Sequence, residues 1–553
     1  MKRAASLLLL LLATNASAAI RWESWDDNLF ARAKKENRFV LLDLEAVWCH
    51  WCHVMDEMTY ADEDVIKLIG DRYIAVRVDQ DSRPDLSNKY EDYGWPATIV
   101  FNADGGEIVR RRGYIPPGEM TSMLQAIIDD PSPGPSVFPD PVPTIASDAQ
   151  LSDALRRKIR SLHEEHYDAE HGSWGFMHKY LDAGSIEYAI ERALDGEEQS
   201  AKMAKQTLTA ELALVDPAWG GVYQYSTGGD WKEPHFEKIM SMQATNLRAY
   251  AFGYAAWRDA SYLRAAESIH HFATTFLRAP DGAFYTSQDA DLVQGEHSAE
   301  YFALDDAARR KLGIPRVDQN IYPRENGWMI EAICALYDAT GKPSYLDDAL
   351  RAARHEFPDR GYFGDAVALG RAYFALYTST GDAKWLVLSE KMAQRAANFR
   401  DAAGGYLTTR PGRGKLAPSR QRDENVAFAR LANLLFHVTS KPAYREMSAH
   451  AMRWLAAPEV ASLRPTGAVL LADYELTRDP LHLTIIGKRS DPVAAELYRA
   501  ALAWPAPYKR VEWLEVAKDP YPKLDRAAAF SCSGNACSLP AFSAEQLRKR
   551  LRR

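Results

Sequence analysis

Apolar positions along the chain follow two rhythms, and the change between them comes at a proline-rich stretch. Ahead of it, continuous apolar runs of strand length at 39–44, 74–78, 97–101 and 108–109 alternate with three-and-four spaced patterns at 25–35, 52–58, 65–69 and 120–128. That alternation predicts a small α/β sheet domain. Beyond it the chain turns alanine- and leucine-rich, with apolar residues at helical spacing such as Leu247, Tyr250, Ala251, Tyr254 and Ala255. Helices should dominate there. From 483 the texture changes again, predicting a strand at 483–486, a helix at 492–502, a strand at 511–516, a cysteine-bearing loop and a final basic helix.

A short phrase recurs between the helical patterns, glycine beside an aromatic or aliphatic residue. It stands at Gly172 to Phe176, Gly220-Gly221-Val222-Tyr223, Gly282-Ala283-Phe284-Tyr285, Gly361-Tyr362-Phe363, Gly404-Gly405-Tyr406 and Gly467-Ala468-Val469. Six recurrences, each with room for two helices between, predict six helix hairpins closed in a ring, an (α/α)6 toroid. Glycine permits the positive-φ backbone on leaving a helix, and the aromatic neighbour is expected to line the mouth of the ring. Ordinary glycine helix stops in an unclosed helical domain are the alternative.

The expected boundaries are a signal peptide at 1–18, the small α/β domain at 19–130, a proline-rich linker at 131–148, the six-hairpin domain at 149–481 and a C-terminal α/β segment at 482–553. Lys2-Arg3, the leucine run 7–12 and small residues up to Ala18 have the layout of a cleaved secretory signal. The run is shorter than the roughly 20 residues that a membrane-spanning helix needs. The expectation is an exported, periplasmic or extracellular, soluble protein with no membrane span after cleavage. The formal net charge of −8 is spread without long single-sign blocks, so no basic footprint for nucleic acid is present.

Export makes the five cysteines informative, since thiols outside the cytoplasm tend to pair. Cys334 lies in an apolar helical run and reads as a small core residue. Cys49 and Cys52 follow the apolar strand directly and open a helix. A helix N-terminus favours thiolate over thiol, which makes Cys49 the nucleophile and the deeper Cys52 the resolving thiol. His50, when protonated, adds a second charge that stabilises the thiolate and pushes the pair toward the oxidising end of the scale. Asp43, six residues upstream, is placed to accept or relay the proton of Cys52. Pro96, in Gly94-Trp95-Pro96 ahead of a strand, could take the cis bond that packs against a disulfide and lets an extended substrate pair beside it. Strand, Cys-x-x-Cys helix, strand, proline, strand, strand, helix is the order of a thioredoxin fold.

Two other chemistries share these letters. Cys49 to His53 also spells Cys-x-x-Cys-His, the c-type haem attachment motif. Haem attachment makes no use of the preceding strand, Asp43 or Pro96, whereas redox chemistry uses all three. A zinc site from Cys49, His50, Cys52 and His53 would need ligands converging from adjacent helical positions. Neither a metal nor a cofactor is assigned.

The chain resembles the spermatogenesis-associated thioredoxin-like family. The resemblance rests on Trp48-Cys49-His50-Trp51-Cys52-His53-Val54-Met55, on residues 78–85 (Val-Asp-Gln-Asp-Ser-Arg-Pro-Asp), on Gly94-Trp95-Pro96 and Gly113-Tyr114-Ile115-Pro116, and in the helical part on 234–238 and 281–291. It implies a thioredoxin-like domain joined to a six-hairpin domain similar to that of sugar epimerases and glycosidases, with no settled reaction. The C-terminal Cys532 and Cys537 also look like the family's ending; they form a structural disulfide or a second redox pair, and the lack of a helix start at Cys532 favours the first.

Two functions follow as expectations. In the first, the protein is a thiol:disulfide oxidoreductase whose partners are client protein thiols or disulfides, or a redox partner protein, with Trp48, Trp51 and Trp95 flanking the reactive pair. In the second, the helical domain binds or acts on carbohydrate. His235, Glu237, Asp289 and Asp291 would supply acid and base, and Trp219 and Tyr223 would stack on sugar. The bland account of these carboxylates is ion pairing, as between neighbours Glu237 and Lys238. The family's usual Tyr-Asp pair after 235–238 is replaced by 239–243 (Ile-Met-Ser-Met-Gln), and its Pro-Lys-Phe by 175–180, which weakens a catalytic role for the helical domain.

Overall fold

The computed structural model describes residues 19–138, 142–410, 416–533 and 536–551. The expected signal peptide, Pro139 and Pro141 of the expected linker, and the last two arginines lie outside them. The chain forms two units. One comprises residues 19–45, 51–78 and 93–138; the other takes in 46–50, 79–92 and the chain from 142 onward.

In the first unit, α1 (Leu29–Glu36), β1 (Phe39–Glu45), α2 (His50–Met58, most of which lies here), α3 (Glu63–Arg72), β2 (Tyr73–Asp79), β3 (Ala97–Phe101), β4 (Glu107–Arg112) and α5 (Pro117–Asp129) build one four-stranded sheet of order β2-β1-β3-β4 with its flanking helices. The β1–β3 and β3–β4 pairs are antiparallel. β1 and β3 read as unbroken apolar runs because both faces are covered, and Leu41, Val100, Met55, Ile69, Met120 and Leu124 share one core. This is the thioredoxin-like arrangement. The strand and helix positions agree with the apolar pattern. The differences are at ends, where the first helix begins at Leu29 and α2 starts at His50, two residues ahead of the expected start at Cys52. Asp62 caps α3 through hydrogen bonds from the Asp64 and Val65 amides, a local device that apolar spacing cannot show.

The second unit opens with α4 (Pro84–Lys89), a helix that apolar spacing does not predict. Its body is made of α6 (Asp153–Glu165), α7 (Ala183–Leu194), α8 (Glu198–Glu211), α9 (Met240–Trp257), α10 (Ala260–Phe276), α11 (Pro323–Thr340), α12 (Pro343–Ala352), α13 (Phe363–Thr380), α14 (Ala383–Ala396), α15 (Arg422–Thr439), α16 (Pro442–Leu455) and α17 (Gly467–Leu476). Helices α7, α9, α11, α13, α15 and α17 pack each on the next, and α17 packs back on α7, which closes the ring. The other six lie outside, each against an inner helix. This is the (α/α)6 toroid. Small residues let the ring close: a Cβ added to Gly467 would meet Ser185 Cα at 2.4 Å, and one added to Gly184 would meet Ala468 Cα at 2.6 Å.

The glycine phrases have a role other than the one expected. Most of their aromatics are buried, with Trp174 2% exposed and Phe284 and Tyr406 at 0%, so they fill the core; Phe176, 51% exposed, is an exception. In three repeats a side-chain amide near the start of the following inner helix clamps the phrase. Gln243 bonds both the N–H and the C=O of Val222, Asn326 those of Phe284, and Asn425 those of Tyr406, at 2.7–3.0 Å. Each clamp satisfies two backbone groups that would otherwise be buried unpaired. Glycines 221 and 405, at φ 76° and 72°, turn the chain into these clamps.

All six inner helices send one charged side chain to the axis: Glu187, Arg248, Glu331, Arg371, Arg430 and Glu475. Arg371 bonds Glu331 through two nitrogens at 2.6 and 3.0 Å, and Arg430 bonds Glu475 likewise at 2.8 and 2.9 Å and reaches Glu187 at 3.0 Å. Arg248 pairs with Glu187 and, at 3.4 Å, with Glu331. Three positive and three negative groups thus cross the ring as a single ionic layer.

The C-terminal segment adds a sheet whose order is β6 (Lys509–Leu514), β5 (Leu481–Ile486), β7 (Ala528–Ser533), β8 (Ala536–Cys537), with α18 (Pro492–Leu502) and α19 (Ala544–Leu551) against it. The cysteine-bearing stretch is a hairpin and not the expected loop, since Cys532 and Cys537 face each other across β7 and β8 and are disulfide-bonded. Cys334 is a buried free thiol in the toroid core.

Candidate functional site

Cys49 sits directly ahead of the first residue of α2, and Cys52 lies one turn in. The strand β1 delivers the chain to this point, and the Cys49 amide donates to the Ala46 carbonyl at 3.1 Å, a tight turn between strand and helix. Each cysteine is disulfide-bonded and only 3–4% exposed. The Trp95–Pro96 peptide is cis.

Around them, the expected residues fall into separate groups. Within the first unit, Asp43 is buried on β1. Burial pushes its carboxyl up to about 6, while the Arg77 guanidinium, 3.1 Å away, pulls the other way. Arg77 also pairs with Glu45 and Asp56 and lies over the Trp22 ring. Asp43, Glu45 and Asp56 lie close enough together to suggest a cation site, and a guanidinium already fills it. Trp51 stands 44% exposed, its ring 6.0 Å from that of Tyr114, and Trp95 is half-buried.

Within the second unit, Trp48 is buried and its indole N–H donates to Asp81 at 3.0 Å. Gln80 donates to the other oxygen of Asp81 at 2.6 Å, and Arg360 donates to the Asp81 carbonyl at 3.3 Å. The 78–85 motif therefore holds in place the residue before Cys49. His50 is drawn to a residue 241 positions away. Its Nδ1 lies 2.7 Å from Oδ1 of Asp291, with side chains 13% and 1% exposed. The other oxygen of Asp291 accepts from the Gly295 amide at 2.9 Å, and the Asp291 amide donates to Asp289 at 3.0 Å. The His297 ring lies 5.8 Å from that of His50.

Glu237 and His235 complete this group. Burial pushes the Glu237 carboxyl up to about 7; backbone hydrogen bonds at Glu237 and His50, together with the charge of His50, oppose the rise, and Asp291 adds to it. Oε2 of Glu237 is buried without a hydrogen-bond partner. Burial, with the neighbouring His50, His178 and His297, holds His235 down to about 4, and its ring stacks on Tyr225 at 4.3 Å. The expected Glu237–Lys238 ion pair is not the arrangement found. Successive residues of an extended segment point to opposite sides, and Lys238 is committed to Asp216 at 2.5 Å, which Arg309 also holds. The structure thus gathers His50, His235, Glu237, Asp289 and Asp291. Trp219 and Tyr223 lie apart, in the core: Trp219 donates to Asp306 at 2.7 Å and packs on Phe276, and Tyr223 packs on Phe236 and Phe302.

Sequence reasoning missed the link from His50 to Asp291 and that from Trp48 to Asp81. No local spacing encodes a contact across 241 residues. The available signal is chemical, a histidine beside a reactive cysteine with acidic residues elsewhere that could partner it.

A cavity of about 330 Å³ lies at the N-terminal ends of the inner helices, with Arg248, Glu331, Arg371 and Arg430 in its lining and Trp328, Tyr180 and Met242 on its walls. Among the described residues no helix is long and apolar enough to cross a membrane.

Residues 2–129 match the family described as Thioredox_DsbH, protein of unknown function, DUF255. Spermatogenesis-associated protein 20 of Mus musculus is 26% identical over 315 residues, covering 51% of this chain and 40% of that protein. The chain therefore spans less than half the length of that relative. The thiol:disulfide interchange protein DsbD 2 of Pseudomonas aeruginosa is 32% identical over 105 residues, 18% of each protein. Among solved structures, cellobiose 2-epimerase from Spirochaeta thermophila is 14% identical, covers 59% of this chain and 99% of its own, and has a TM-score of 0.42. The family resemblance expected from the Trp48 to Met55 motif is thus found.

Proposed function

We propose that the protein is an exported thiol:disulfide oxidoreductase acting through Cys49 and Cys52. The observation that carries this is a Cys-x-x-Cys whose cysteines are both disulfide-bonded and whose first member stands at the head of a helix at the end of a buried strand. Partial positive charge at the helix end favours the Cys49 thiolate once the pair is reduced. That thiolate attacks a client disulfide, forming a mixed disulfide and releasing one client thiolate. Cys52 then gives up its proton, with Asp43 as acceptor, and attacks Cys49 Sγ, releasing the second client thiolate. Two electrons pass to the client and Cys49–Cys52 is left oxidised; the reverse sequence oxidises a client dithiol. The similarity to DsbD 2 over 105 residues supports the reading, and the Cys532–Cys537 disulfide suits a compartment outside the cytoplasm.

Trapping tests it. In a Cys52→Ser variant the mixed disulfide cannot be resolved, so client proteins should be recovered covalently on Cys49 and released by reductant. Equal recovery from the Cys49→Ser/Cys52→Ser protein would refute the proposal.

One observation favours a second activity, ligand binding by the helical unit. The 330 Å³ cavity combines a floor carrying charges of both signs with the Trp328 indole, a setting for a polyhydroxy ligand such as a disaccharide. Tryptophan fluorescence titrated with disaccharides should respond in the wild type and not in Trp328→Ala; no response in either removes this reading.

A further inference from the structure

The redox proposal gives no part to residues 289–291, yet Asp291 is a partner of His50. Three features define the contact. The distance of 2.7 Å is that of a charge-assisted hydrogen bond. Asp291 is 1% exposed at its side chain, so water and salt screen its charge weakly. Asp291 is itself fixed, since the Gly295 amide holds Oδ2 and its own amide is tied to Asp289, while Oδ1 lies against the imidazole.

We propose that Asp291 is the positioning residue for His50, and that through His50 it sets how readily Cys49 ionises. This rests on the redox reading above. A buried carboxylate against Nδ1 fixes the ring beside Cys49 and supports a positive charge on it. When protonated, that ring is the side chain next to Cys49 in the chain and stabilises its thiolate. The chain of charge then runs from Asp291 through His50 to Cys49. In the disulfide the last charge is gone, so the same pair favours the reduced form and makes the protein a stronger oxidant. The other groups facing His50 are Glu237, His235 and His297. His235 and His297 oppose its charge when protonated, and Glu237 supports it when ionised. Asp291 is the group in direct hydrogen bond with the ring. The acidic residues of 289–291, expected to serve sugar chemistry, thereby gain a role in thiol chemistry.

The test uses the full-length reduced protein, with site-resolved alkylation of Cys49 against pH and equilibration of Cys49–Cys52 with glutathione buffers. Asp291→Asn should raise the alkylation midpoint by about one pH unit and shift the equilibrium about tenfold toward the disulfide, roughly 30 mV for a two-electron couple. Asp291→Glu, which keeps the charge, should stay close to wild type. In a His50→Gln background Asp291→Asn should change neither quantity. A merely structural role would move the unfolding midpoint and not the alkylation midpoint. If Asp291→Asn fails to fold, His50→Gln alone must give the same shift. An unchanged midpoint in His50→Gln, or an equal effect of Asp291→Asn with and without His50, overturns the proposal. A wild-type pair that never equilibrates with glutathione would instead sink the redox reading itself.

Discussion

Two groups of buried charge in the helical unit make opposite use of the same residue types. The axial layer sets three arginines against three glutamates, one from each inner helix, and two of its carboxylates are doubly bonded. The cluster around His50 holds Glu237, Asp289 and Asp291 with histidines in place of arginines, and Glu237 keeps one buried oxygen without a hydrogen bond. Matched permanent charges fix a structure. An acid raised to about 7, as Glu237 is, can gain or lose a proton near neutrality, and another acid of the cluster, Asp291, holds the residue next to Cys49. The difference separates a structural layer from a reactive site more cleanly than burial does, since both are buried.

This contrast can be broken at several points. The largest effect belongs to the reactive side: Cys49→Ser should lower insulin reduction or dithiol oxidation by at least about a thousandfold without changing the unfolding midpoint of the reduced protein, because it removes the attacking group. Next, Arg430→Met should cost about 3–5 kcal/mol in urea unfolding, since Glu475 and Glu187 lose the guanidinium that both of them bond. No comparable loss should follow Glu237→Gln, which removes a charge that burial already disfavours.

The two kinds of glutamate should also answer pH in opposite senses. Burial raises Glu237 to about 7, above its unfolded value, so its contribution to stability is complete below about pH 4 and is lost as pH rises through 7. At Glu331 burial is outweighed by Arg371 and Arg248, which hold the carboxyl down to about 2; its contribution is complete above about pH 4 and is lost as pH falls through 2. Each amounts to roughly 3 kcal/mol. Unfolding free energies of Glu237→Gln and Glu331→Gln between pH 3 and 8 should therefore diverge from wild type in opposite directions; parallel curves would erase the distinction. The smallest effect is expected at Cys334→Ala, about 1 kcal/mol from lost packing, with an unaltered glutathione equilibrium at Cys49–Cys52.

Much of the fold is legible in the chain. The strands of the first unit lie where continuous apolar runs stand, because strands covered on both faces read as such runs. The six glycine phrases announce six hairpins, because each repeat must turn its backbone between one helix pair and the next. What cannot be read is partner choice. The phrase aromatics look alike whether they face a mouth or a core, and only closure of the ring decides it. Lys238 stands next to Glu237 in sequence but bonds Asp216, because alternation along extended chain separates neighbours. The contact from His50 to Asp291 joins residues brought together by the fold of the second unit, and no window along the chain contains both.

Both the redox reading and the part given to Asp291 depend on the acidity of one thiol. Alkylation of Cys49 in the reduced, full-length protein, followed peptide by peptide from acid to alkaline pH, measures it directly. A midpoint below about 7 is expected from the helix end and from the His50 ring that Asp291 holds. A midpoint near about 8.5, that of an ordinary cysteine, would contradict it.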